Sequence, residues 1–79
     1  MGKEREMVNE REHLAQADRH IAKCKDHIAH HYKLMLEIEQ RGEDTSWAKT
    51  MLQTLKETLR LFEKHRQLIV ERLKQAEQK

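Results

Sequence analysis

Apolar residues return at alternating intervals of three and four along almost the whole chain. In the first half, Met7, Leu14, Ile21, Ile28 and Met35 recur every seven residues, with Glu10, Ala17, Cys24, His31 and Ile38 as the alternating row. In the second half, Leu52, Leu59, Arg66 and Leu73 form one row, and Ala48, Leu55, Phe62, Ile69 and Ala76 the other. This spacing is that of α-helices whose apolar seams face another helix. The pattern breaks once, at RGEDTS, residues 41–46. There Gly42 can take the left-handed conformation that ends a helix, and Asp44 can cap the next one. The expected architecture is all-α: a single domain over residues 1–79 in the form of an antiparallel, coiled-coil-like two-helix hairpin. Helix 1 is expected over about 3–41, the turn at 42–44 and helix 2 over about 45–76, giving arms of roughly 50–60 Å.

Folding the chain about Gly42 suggests a register. Met35 then faces Leu52, Ile28 faces Leu59 and Leu14 faces Leu73, while the second row sets Ile38 on Ala48, His31 on Leu55, Cys24 on Phe62 and Ala17 on Ile69. One flank then brings together Arg11 and Glu77, Lys25 and Glu63, and Glu39 and Lys49, opposite charges of the kind that orient coiled coils. The other flank sets Leu34 by Met51, His27 by Thr58, His20 by His65 and His13 by Arg72. Arg66 falls on a core row opposite Ile21. Its stem can lie along the seam while the guanidinium reaches water or a carboxylate, a register device rather than an anion site.

Helix 2 carries a further stripe, Trp47, Met51, Thr54, Thr58, Leu61, His65 and Leu68, which a single hairpin has nothing to cover. Together with Leu34 these residues form the expected dimer interface. Two hairpins joined through it would make a two-fold-symmetric four-helix bundle and enlarge a core that a chain this short cannot otherwise build.

Composition sharpens this picture. Charged residues make up 38% and hydrophobic ones 37%, with no Pro and two Gly, a balance that belongs to long helices and, given the periodicity, not to disorder. The net charge is +2 with both signs interleaved, so no basic block points to nucleic acid or to an anionic membrane. A single cysteine cannot close an intramolecular disulfide, no apolar run exceeds three residues, and MGKEREMVNE has no apolar leader. The expected location is the cytoplasm.

Histidine is concentrated in DRHIAKCKDHIAHH, residues 18–31. On a helix, His20, Cys24, His27 and His31 line one strip, and the register above brings His65 beside His20. His20, Cys24, His27 and His65 are therefore the candidate metal ligands, for zinc, copper or nickel, within one chain or shared across the two-fold. The competing reading is a polar seam, since histidine is an adequate flank residue and a lone cysteine behaves as a small hydrophobe. Neither Cys-x-x-Cys nor His-Glu-x-x-His occurs. Histidines gathered at an interface would also repel one another once protonated, loosening a dimer between about pH 7.5 and about pH 5.5.

No nucleophile, base and orienting acid can be assembled from this pattern, and no glycine-rich phosphate loop exists, so no enzyme is expected. A dimeric helical hairpin is similar in architecture to ROP-like RNA-binding four-helix bundles. One Trp, one Tyr and one Phe without a Lys/Arg face make nucleic acid a disfavoured partner.

At HLAQADRHIAKCKDHIA, residues 13–29, and RGEDTSWAKTMLQTLKETLRLFEKHR, residues 41–66, the chain resembles a group of short alphaproteobacterial helical-hairpin proteins of unknown function. The shared positions are His13, Leu14, Ala15, Ala17, Arg19, His20, Ile21, Ala22, His27, Gly42, Asp44, Thr45, Ala48, Leu52, Glu57, Leu59 and Arg66. The resemblance implies the turn at residues 42–45 and a role for His13, His20 and His27 that does not need the thiol, because its members carry glycine or another residue in place of Cys24. It implies no activity. The expected function is a small homodimeric interaction or regulatory module without catalysis, its partner a second copy or another helical protein and not a membrane. The rival reading is metal binding or sensing, and RNA binding stands third.

Overall fold

The computed structural model describes the backbone of residues 2–77 and the side chains of residues 8–77. Two helices, α1 (Gly2–Gln40) and α2 (Ser46–Glu77), fold back on one another as an antiparallel hairpin. The rod measures 61 × 14 × 14 Å.

The turn is built by its own sequence. Beyond Gln40 the helix has carbonyls without partners, and two of them are satisfied as the chain reverses. The Gly42 N–H donates to the Glu39 carbonyl at 3.0 Å and the Glu43 N–H to the Ile38 carbonyl at 3.2 Å. This pair of bonds is the Schellman motif, which needs a left-handed residue between them, and Gly42 supplies it with φ 74°. The next helix is opened by Asp44. Its Oδ1 accepts from the Ser46 backbone N–H at 3.0 Å and from the Ser46 hydroxyl at 2.7 Å. Those two donors hold the Asp44 carboxyl below the usual carboxylate range. Lys49 N–H then donates to the Thr45 carbonyl at 2.9 Å, closing the first turn of α2.

The seam consists of the residues that the heptads select. Ala17 and Cys24 on α1 and Ala48, Leu52 and Ile69 on α2 are buried. Leu14, Ile21, Ile28, Met35 and Ile38 are half-buried opposite Leu55, Leu59, Phe62, Leu73 and Ala76. Met7, the first member of its row, has its side chain outside the described residues. Small residues at Ala17, Cys24 and Ala48 let the two backbones approach, and Ile69, 1% exposed, is the largest side chain fully enclosed among the described residues.

The register differs from the one expected. The Phe62 ring lies against His20, with centroids 5.4 Å apart, where Cys24 was expected to face it. Arg66 Nε meets Asp18 at 2.6 Å, not the level of Ile21, and Arg72 reaches Glu10 at 3.8 Å instead of lying beside His13. Each contact displaces α2 by about half a heptad. Arg11 does meet Glu77, at 3.9 Å, because both side chains lean toward the N-termini of their own helices and so toward each other. Lys25 with Glu63 and Glu39 with Lys49 are not among the ion pairs of the described residues. Arg66 does what its core position demands: it is half-buried, and its guanidinium finds a carboxylate.

Candidate functional site

Two features remain once the seam is closed, an uncovered apolar stripe on α2 and a groove beside it. Trp47 is 60% exposed, Leu61 68% and Leu68 46%, with Met51 also exposed. Thr54 and His65 are exposed as well, while Thr58 and Leu34 are half-buried. The eight expected interface residues therefore lie outside the intramolecular core or at its margin. The threonines make the stripe less polar than its composition suggests. Thr54 and Thr58 of the stripe, like Thr50 outside it, each donate the side-chain hydroxyl to the carbonyl four residues back, at 3.1, 2.9 and 3.0 Å. With the hydroxyls tied to their own helix, the methyl groups remain for the surface.

The groove, about 170 Å³ and open to solvent, runs between the helices and is lined by His20, Lys23, Cys24, His27, Leu55, Thr58 and Phe62. Three of the four candidate ligands, His20, Cys24 and His27, thus share one groove, and His65 is not among its walls. Among the described residues no three His, Cys, Asp or Glu side chains converge on a point where a metal could sit. Cys24, 4% exposed, is occupied otherwise: its thiol donates across the hairpin to the Leu55 carbonyl at 3.4 Å. The register explains why His65 is missing, since α2 is displaced from the alignment that set it beside His20.

Among the described residues, two polar atoms inside the seam stand without partners, Glu10 Oε2 and His31 Nδ1. His31 takes the core position that its heptad row assigns and lies edge-on to Trp47, with centroids 6.4 Å apart. Sequence reasoning missed Lys23 and Phe62 as groove walls and Asp18 as the partner of Arg66. Helical spacing around Cys24 carries the signal for Lys23, and the expected pairing of Cys24 with Phe62 carries it for Phe62, since both line the groove.

No helix among the described residues is long and apolar enough to cross a membrane. Fold and surface together define a small all-α helical hairpin with one apolar flank left open. Comparison with protein-family models, with curated proteins and with solved structures returns no significant match.

Proposed function

We propose that the chain is a homodimeric, non-catalytic helical interaction module of the cytoplasm, two hairpins associating through the α2 stripe into a four-helix bundle. The observation that carries the reading is the exposure of Trp47, Met51, Leu61 and Leu68 along one line of α2, whereas the exposed large apolar residues of α1, Val8, Tyr32 and Leu36, form no such line. A fully buried side chain of this size contributes about 1.5–3 kcal/mol. The exposed fractions of these four amount to roughly two whole side chains per copy, or roughly 3–6 kcal/mol left unrealised in a single hairpin. A second copy supplies a matching surface of the right extent. One face of the 61 × 14 Å rod offers roughly 850 Å² (61 multiplied by 14), close to the roughly 800 Å² per partner of a standard interface. Sedimentation equilibrium is the test. Twice the chain mass is expected for the native protein, and reversion toward single-chain mass for Leu61→Glu with its helicity intact. A native protein that stays at single-chain mass across the accessible concentration range defeats the reading.

Metal binding is the rival, and the groove shared by His20, Cys24 and His27 is what favours it. Metal analysis of protein purified without a histidine tag, with melting in the presence and absence of a chelator, separates the two. Bound zinc, copper or nickel lost to chelator together with thermal stability would support the rival.

A further inference from the structure

A two-fold axis can lay a second hairpin on the open flank in two ways. In one, α2 lies on the partner's α2 and the turns fall at opposite ends of the bundle. In the other, α2 lies on the partner's α1 and the turns fall at the same end. We propose the first: an antiparallel α2–α2 contact whose two-fold axis passes at Thr58. The inference rests on the homodimer reading above.

The stripe has the symmetry this arrangement requires. Met51 and His65 stand equally far from Thr58, and Trp47 with Leu68 and Thr54 with Leu61 do so to within one residue. Reversal therefore sets Trp47 on the partner's Leu68, Thr54 on the partner's Leu61, Met51 on the partner's His65, and Thr58 on the partner's Thr58. A closed two-fold contact uses one patch twice and must be complementary to itself in this way. The chemistry agrees with the spacing. Trp47, Leu61 and Leu68, all exposed in the hairpin, are each covered by an apolar side chain or a threonine methyl. At the axis the residue is small, and its hydroxyl is already bonded to the Thr54 carbonyl, so two copies meet methyl to methyl without stranding a donor.

The alternative fails on the same accounting. The adjoining flank of α1 carries His20, Lys23 and His27, three of the groove walls. Laying α2 against it would set Leu61 and its apolar neighbours on a lysine and imidazoles, leaving the exposed apolar side chains without apolar cover. In the antiparallel bundle the exposed leucines of α2 meet apolar residues of the partner's α2 instead.

Cysteine cross-linking tests the geometry in a Cys24→Ala background, which leaves no other thiol. A disulfide needs Cβ atoms about 3.5–4.5 Å apart, which only residues at or near the axis achieve with their own counterparts. Thr58→Cys should form covalent dimer at least about tenfold faster than Gln53→Cys, a control outside the stripe. A mixture of Met51→Cys and His65→Cys chains should cross-link where neither does alone, which keeps the test intact if Thr58→Cys loses helicity. If the protein sediments as a dimer but neither pair links faster than the control, or if Leu61→Cys links to Lys23→Cys instead, the antiparallel arrangement is overturned and the homodimer stands. If the protein sediments as a single chain, both fall.

Discussion

The hairpin turn offers the cleanest quantitative test, because at Gly42 conformation and packing separate. A Cβ added there meets no atom within 4 Å, yet φ is +74°. Gly42→Ala therefore introduces no clash, and its cost comes from the backbone alone. An L-residue held left-handed costs about 1–2 kcal/mol. Restricting the unfolded chain returns about 0.4–1 kcal/mol, since alanine has fewer unfolded conformations to lose than glycine. The net loss should be about 1 kcal/mol, lowering Tm by roughly 4–8 °C for a chain of this size. The same geometry predicts a change of sign with chirality. D-alanine at position 42, installed by chemical ligation, prefers positive φ and should raise stability by about 0.4–1 kcal/mol. Gly42→Asn should fall between glycine and L-alanine, because asparagine tolerates this conformation better than other side chains. Melting followed by circular dichroism at one fixed chain concentration gives all three values, the fixed concentration removing any contribution of association. If L-alanine is neutral and D-alanine brings no gain, the turn is not the left-handed Schellman turn described here.

Further perturbations probe the seam, the ion pairs and the cap. Ile69→Ala should cost about 2–5 kcal/mol, since Ile69 is 1% exposed, and in a hairpin this small cooperative melting should vanish. Arg66→Met should cost under about 1 kcal/mol despite the 2.6 Å contact, because the two side chains are 40% and 53% exposed and water screens them. The difference from the native chain should shrink further in high salt. Asp44, with its carboxyl below the usual range, contributes stability that is fully present above the ordinary carboxylate pKa and lost as pH falls through its own lowered value. Asp44→Ala should flatten the acid limb of the stability profile and leave its neutral-pH shape unaltered, as read by melts from neutral to strongly acidic buffer.

The elements were legible in the sequence because each rests on local chemistry. Gly42 ends α1 by a conformation only glycine takes freely, Asp44 opens α2 with a carboxylate in reach of Ser46, and the heptad rows name the buried residues. The register was not legible, for a reason built into heptads. Core positions alternate by three and four residues, so sliding α2 by half a heptad maps one of its rows onto the other and still faces every core position with a core position. The charge pairs could not break the tie. Long side chains reach across a turn, and Arg11 meets Glu77 even in the displaced alignment. What settles the matter is close packing, the Phe62 ring on His20, which depends on shape and not on pattern. The candidate ligands parted for the same reason: His20, Cys24 and His27 belong to one helix and stay together, whereas His65 depended on the register.

The shape of the hairpin also bears on how its mass is read. A compact chain of 79 residues has a radius of gyration of about 12 Å, and 18.0 Å belongs to a globular protein of about 250 residues. On a calibrated sizing column a lone hairpin would therefore elute near the position of a trimer. Side-by-side pairing thickens the rod without lengthening it, so dimerisation would move the elution volume far less than it moves the mass. Only methods that weigh the particle, such as sedimentation equilibrium or multi-angle light scattering, tell one copy from two.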